Sequence, residues 1–258
     1  IAERVNLLLA QGDMAARDGK IDQAFYQYLT AEQLDKTDDR ALVRAGNLHR
    51  TLGNRGIAEK AWKLALDRRP TNGVVHESLG FLFLDAGRYV EASTAFESAL
   101  SYSPESRRAA IGLGLASEKR NDLVRALAIY ESELVRHPAS VELRTYRARA
   151  LMNLGRFSEA KSALAGIVDE PMPVTWIVRG DLFAIDGEYA AALGAYLETL
   201  SEPWAYQRLG EHAMRRQDYD SAMRYFGQAA EKSPNFFEDA NRGIAVAREH
   251  LRAQGQSK

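Results

Sequence analysis

The chain has 258 residues and no cysteine, with 46% hydrophobic and 27% charged side chains and a formal net charge of −1. That balance is ordinary for a globular protein and gives no bulk field toward nucleic acid or anionic lipid. The missing cysteine removes disulfides, thiolate chemistry and cysteine-based zinc or iron–sulfur sites, and no apolar run reaches the ~18 residues of a membrane span.

In chain order, a first span, 5–38, carries Gly12, Ala24, Tyr28 and Ala31, with Lys36 near its end. The same places recur 34 residues on as Gly46, Ala58, Trp62, Ala65 and Pro70 in 39–72. The fullest version lies in 73–106: His76-x2-Leu79-Gly80-x2-Phe83, then Ala92-x3-Phe96, Ala99 and Pro104. In 107–140 the places hold Gly114, Ala126, Tyr130 and Pro138, with Glu133 where a small residue is usual. Small residues at Gly80 and Ala92 let two helices of a pair approach closely, Phe83 and Phe96 fill the space around the contact, and Pro104 stops the second helix.

The second half drifts. The span 141–172 keeps Ala148, the turn Gly155-Arg156-Phe157, Ala160 and Leu164, and runs into Pro171-Met172-Pro173. The span 173–202 has Trp176, Gly180, Phe183, the turn Gly187-Glu188-Tyr189, Ala192 and Tyr196, but is shorter, since Gly210 follows Gly180 by 30 residues. The pattern recovers in 203–236 with Leu209, Gly210, Ala222, Phe226, Ala229 and Pro234. The shortened spans predict a kink or weak seam near Pro171–Pro203. Glycines at Asp18-Gly19, Ala86-Gly87, Leu154-Gly155 and Asp186-Gly187 suit helix ends in the left-handed conformation. A final helix, 237–254, with Ile244, Val246, Ala247 and Leu251 on one face, suits a cap, and the last residues from Gln254 are expected to fray.

This spacing resembles the tetratricopeptide repeat pattern, over nearly the whole chain. The resemblance implies an all-α, right-handed α-solenoid of about seven helical hairpins plus a C-terminal capping helix, forming one domain over 1–258. It implies a non-enzymatic protein–protein interaction scaffold that binds a peptide or helix of a partner in its concave groove, within a multiprotein assembly. Similar proteins serve chaperone complexes, secretion systems, pilus assembly and the periplasmic parts of bacterial polysaccharide exporters. Two alternatives follow: a periplasmic segment of a bacterial polysaccharide-secretion or pilus-assembly machine, and a self-assembling structural scaffold. The chain opens at Ile1 with no initiator methionine or leader, which suggests a processed form or an excised fragment. The absence of cysteine fits a cytoplasm or a periplasm, with the periplasm preferred.

The histidines His49, His76, His137, His212 and His250 are scattered, with no zinc-type pair; packing or surface exposure accounts for them. Gly12 to Lys20 lacks phosphate-loop spacing and a preceding strand, and Gly112-Leu113-Gly114 falls inside a predicted helix, so neither is a nucleotide fingerprint. Asp38-Asp39 and Glu131/Glu133 read as capping and solvated outer faces. No catalytic residue, metal ligand or cofactor is expected, and no nucleic-acid partner.

The resemblance also implies which side chains line the groove: Arg40, Val43, Asn47 and Arg50, then Val74, Glu77, Phe81 and Leu84, then Arg108, Ile111, Leu115 and Glu118, then Glu142, Thr145, Arg149 and Met152. From these the candidate partner-binding set is Arg40, Arg44, Asn47, Arg50, Val74, Phe81, Leu84, Arg108, Ile111 and Leu115, an apolar cluster rimmed by charge that suits an amphipathic, partly acidic segment. The rival is that Phe81 and Leu84 pack between helices. The clamp of lysine, asparagine and arginine that chaperone-binding members use finds no match in any frame starting at the first three units. Trp204 falls at a groove-facing place or serves as a buried spacer, the latter preferred, while Trp62 and Trp176 read as core.

Overall fold

The computed structural model describes residues 1–167, 171–233 and 237–256, with side chains through 253. Among them are fifteen helices and no strand. In chain order they are α1 (Ala2–Arg17), α2 (Ile21–Leu34), α3 (Arg40–Thr51), α4 (Arg55–Arg68), α5 (Gly73–Asp85), α6 (Tyr89–Tyr102), α7 (Arg107–Lys119) and α8 (Leu123–Arg136). There follow α9 (Val141–Asn153), α10 (Phe157–Ala165), α11 (Pro173–Asp186), α12 (Tyr189–Leu197), α13 (Glu202–Arg215), α14 (Tyr219–Lys232) and α15 (Glu238–Gln256). Within the two units consecutive helices pack as antiparallel pairs, α1 on α2, α3 on α4, α5 on α6, α9 on α10, α11 on α12 and α13 on α14, and α15 packs on α14. The chain divides into two compact units, residues 1–129 and 130–258, with the division inside α8.

In the first unit the nesting expected from the small residues is visible atom by atom. A Cβ at Gly12 would lie 2.4 Å from the Tyr28 ring, one at Gly46 2.5 Å from Trp62, and one at Gly80 2.6 Å from Phe96. Each missing side chain is therefore filled by the aromatic of the partner helix, as close packing requires. Phe96 is also gripped from the next hairpin, because a Cβ at Gly112 of α7 would come within 2.3 Å of its ring. Tyr28 packs with Val5, Leu9, Ala24 and Ala41, while Trp62 and Phe96 share a second cluster with Val75, Leu79, Leu82 and Leu113. Gly19, Gly53 and Gly87 end the first helices with positive φ, and Asn121 takes that role in the fourth hairpin. Asn72 and Ser106 cap α5 and α7 by accepting from the backbone three residues on, satisfying donors that a helix start leaves open.

The second unit repeats the device. Tyr196 nests on Gly180, and Phe226 lies between Gly210 of its own hairpin and Gly243 of α15. α15 therefore docks as the first helix of a further hairpin would. The shortening expected over 141–202 falls in the second helices: α10 and α12 have nine residues each, against fourteen in α14. Gly155 and Gly187 close their hairpins with positive φ, whereas Gln217 does so in the seventh. Pro234, the expected stop, lies outside the described residues. Glu133, expected on a solvated face, is instead buried and paired with Arg136. Trp62 is fully buried, but Trp176 is only half-buried, with the Arg179 guanidinium 4.8 Å over its ring. Trp204 is 54% exposed, edge-on to Phe237 at 4.9 Å, and so is not a buried spacer.

Candidate functional site

Nine of the ten predicted partner-binding residues, all in the first unit, separate into three groups. Val74 is 64% exposed, and Asn47 and Arg50 are also open to solvent. The charges beside them are largely engaged at home. Arg40 bonds to Asp38 and donates to Asn6 at 2.8 Å, Arg44 holds Asp13 at 3.0 Å, and Arg108 lies 3.2 Å from Glu77. Phe81, Leu84 and Leu115 are half-buried. Phe81 meets Phe96 edge-on at 4.9 Å while Arg108 covers its other side at 4.7 Å, so core contact and partial exposure coexist in one side chain.

Ile111 requires a correction. It is 5% exposed and does not face open solvent. It belongs to a run of six consecutive buried residues, Ala109 to Gly114, which is longer than one helical turn, so α7 is enclosed all round. Gly112 allows this by admitting α7 against Phe96.

The second unit holds a site that was not anticipated. A cavity of about 630 Å³ opens on the first helices α9, α11 and α13, a size typical of ligand clefts. At its base is Asp181. Gly180 precedes it, and the absent Cβ there lets the Tyr196 ring of α12 lie against α11. The Tyr196 hydroxyl then donates to Asp181 Oδ1 at 2.7 Å. From α13, Arg208 donates through Nε and Nη2 to the two carboxylate oxygens, each at 2.6 Å. His212, one turn further on, places Nε2 3.0 Å from Oδ1; since a carboxylate only accepts, the imidazole must donate there.

Asp181 is 3% exposed. Burial pushes its pKa up, but hydrogen bonds from His212 and Arg208, the Arg208 charge and the Tyr196 hydroxyl outweigh that and lower it to about 2. Tyr196 is driven the other way, by burial first and then by the carboxylate beside it. The base of the cavity is therefore an anion fully consumed by donors.

Around it the wall is cationic and apolar. Arg149, Arg208, Arg215 and Arg216 line it with Met152, Ile177 and Ile185 among others, and Asp181 is the one carboxylate among the lining residues. Arg216 also donates to the backbone carbonyl of Ile185, which ties α13 to the end of α11. Of the residues the resemblance placed in a groove, Arg149 and Met152 line this cavity, whereas Thr145 is buried against Thr175 at 2.8 Å.

A signal for the Asp181 cluster does exist in the sequence. Gly12-Asp13 and Gly180-Asp181 are the same dipeptide at the same place in their hairpins, each followed by a tyrosine fifteen residues after the aspartate. The Tyr28 hydroxyl donates to Asp13 at 2.9 Å, and Arg44 completes that clasp from α3. The difference is depth, because the Asp13 side chain retains 32% of its exposure against 4% for Asp181.

Comparison with known proteins agrees with this architecture. Residues 78–141 and 147–207 match the family model described as tetratricopeptide repeat. The chain is 28% identical over 204 residues to tetratricopeptide repeat protein 13 of Homo sapiens, covering 75% of this chain and 23% of that protein; it thus spans under a quarter of that relative's length. Among solved structures, Pseudomonas aeruginosa pilF is similar with a TM-score of 0.58 and 17% identity, over 95% of this chain and 98% of that one. The Cut9–Hcn1 hetero-tetramer of the APC/C is similar with a TM-score of 0.61 and 16% identity, over 95% of this chain and 49% of that one. Repeated hairpins, glycine-seated aromatics and these matches together make the chain a member of the tetratricopeptide repeat family.

Proposed function

We propose that this protein is a protein–protein interaction scaffold that receives a peptide or helical segment of a partner on its first-helix face, at the cavity walled by α9, α11 and α13. The observation that carries the reading is the cavity itself. It is about 630 Å³ in volume, drawn from three successive first helices, with side chains that offer both apolar contact and charge. A solenoid positions such a surface rigidly, because each hairpin is fixed by its neighbours, so a bound segment meets a preformed site and avoids much ordering cost. Two structural neighbours, Cut9–Hcn1 of the APC/C and Naa15/Naa10 bound to HypK, are protein assemblies, in keeping with this use of the fold.

Recovery of crosslinked partners tests the reading with two variants, Ile177→Glu in the cavity and Leu115→Glu on the first unit. Loss with Ile177→Glu alone supports the cavity. Loss with Leu115→Glu alone moves the contact to the Val74–Phe81 surface, and equal recovery from both overturns first-helix binding. Two narrower settings are also proposals. A place in a bacterial pilus or polysaccharide-export machine has in its favour the likeness in fold to pilF. Self-assembly predicts a solution mass that rises with concentration.

A further inference from the structure

The first helix of the chain differs from the later ones in what covers it. The places of Leu7 and Met14 in α1 recur at steps of 34 residues as Ala41 and Leu48 in α3, Val75 and Leu82 in α5, and Ala109 and Ala116 in α7. Those six side chains are buried. Ala41 and Leu48 pack into the cluster that α1 and α2 form, so this is the side by which a first helix meets the hairpin before it. In α1 the two side chains are each 58% exposed. Ala10 between them is exposed too, as are Glu3 and Arg17 toward the helix ends. Glu3, Leu7, Ala10, Met14 and Arg17 are separated by alternating steps of four and three, which keeps all five on one stripe of an α-helix. The buried residues of α1, Val5, Leu9, Gly12 and Ala15, lie on the opposite side.

That stripe is its own complement. Ala10 lies seven residues from Glu3 and seven from Arg17. Turning the helix end for end about Ala10 therefore sets Glu3 against Arg17, Leu7 against Met14 and Ala10 against itself, which is what a two-fold axis does to two identical helices. The short side chain of Ala10 lets the two axes come as close as about 8 Å, and the flexible Met14 side chain adapts to the leucine it meets. We propose that α1 pairs antiparallel with α1 of a second copy of this chain across a two-fold axis at Ala10. Leu7 and Met14 form the apolar seam, and Glu3–Arg17 pairs close both ends. The pairing gives self-assembly a defined surface and is independent of the cavity in the second unit. Exposed ion pairs add little affinity, whereas like charges set face to face are penalised. Glu3 and Arg17 thus fix the direction of pairing while the seam supplies the attraction. Two helices of 16 residues cover less area than the roughly 1,200–2,000 Å² of a stable interface, so the dimer is weak, with a Kd on the order of 10–100 µM. Two-fold closure ends this assembly at two copies.

Sedimentation equilibrium of the full chain from about 5 to 500 µM tests the pairing, and the parent's mass should rise from near one chain toward two over that range. Glu3→Arg alone and Arg17→Glu alone each place like charges at both ends of the seam, and each should weaken the dimer at least about tenfold at low salt. An equimolar mixture of these two variants sets opposite charges at both ends again and should recover the dimer. Melting temperatures compared with the parent show that the variants remain folded. Where a charge variant melts well below the parent, Leu7→Gln/Met14→Gln, which keeps both charges, takes its place and should hold the mass at one chain. A parent that stays a single chain up to about 500 µM overturns the inference. A mass rise that none of these substitutions alters puts self-assembly on another surface and overturns it as well. Loss of the dimer in both charge variants that mixing does not restore overturns the end-for-end arrangement. None of these outcomes bears on partner recovery with Ile177→Glu, so the scaffold reading stands or falls separately.

Discussion

Arg208 grips Asp181 through two parallel hydrogen bonds of 2.6 Å, Nε to Oδ1 and Nη2 to Oδ2. The fork ties α13 to α11 inside the second unit, and the Tyr196 hydroxyl and His212 complete the coordination of the same carboxylate. Breaking a buried pair leaves its surviving member without a partner. Asp181→Asn is therefore expected to cost about 3 kcal/mol in urea unfolding. The matching Asp13→Asn, where the Asp13–Arg44 pair is about one-third exposed, should cost about 1 kcal/mol. Equal losses would show that depth does not distinguish the two clasps.

The same carboxylate gives the fold an acid dependence of defined sign. Its folded pKa is lowered to about 2, below the ~3.9 of an unfolded aspartate. The stability it contributes is present above the unfolded value and is lost as pH falls toward the folded one, on the order of 2 kcal/mol in all. Urea midpoints of the parent and of Asp181→Asn, measured from about pH 5 downward, should converge as the acid limit is approached.

Two glycines inside helices should respond to alanine with opposite signs. A Cβ at Gly112 would stand 2.3 Å from the Phe96 ring, whereas nothing lies within 4 Å of one at Gly194. Overpacking costs about 1–3 kcal/mol, which exceeds the ~1 kcal/mol that alanine gains in helix propensity. Thermal melts should accordingly show Gly112→Ala less stable than the parent, and Gly194→Ala more stable by about 0.5–1 kcal/mol.

Gln217 closes the seventh hairpin at φ 61°, where five other hairpins use glycine. A side chain pays roughly 1 kcal/mol in that left-handed region, so Gln217→Gly should raise the melting temperature by a few degrees. No change would mean that local contacts of Gln217 offset its strain.

Phe81 tests the division between core and surface in the first unit. With Phe96 on one side and Arg108 on the other, Phe81→Ala should cost about 1–3 kcal/mol, below the range for a fully buried phenylalanine. An unchanged melting temperature would remove it from the core.

Much of this was legible in the residues because it is local. Gly12, Gly46, Gly80, Gly180 and Gly210 each face the aromatic that the spacing nominates, and the turn glycines sit at positive φ. Periodicity reports which side of a helix faces its hairpin partner, and that contact lies within about thirty residues of chain. It reports less about how tightly one first helix meets the next, and that is why Ile111 was placed on an open face. The Asp181 cluster escaped for a related reason. Two of its donors, Arg208 and His212, come from the following hairpin, 27 and 31 residues away, past the shortened α12 where register counting slips. The Gly-Asp dipeptide with a tyrosine fifteen residues beyond was present twice, but its meaning depends on an arginine from the following hairpin. The second grip on Phe226, by Gly243, was equally hidden, since a lone helix offers no repeat to align.

That second grip has a practical consequence. Phe226 has one glycine wall from α13 and the other from α15. Trimming the chain ahead of α15 would strip one wall away and leave the ring, with Ala222 and Ile244's former partners, facing water. A version cut there would end in an adhesive surface and should precipitate or pair with itself more readily than one that keeps α15.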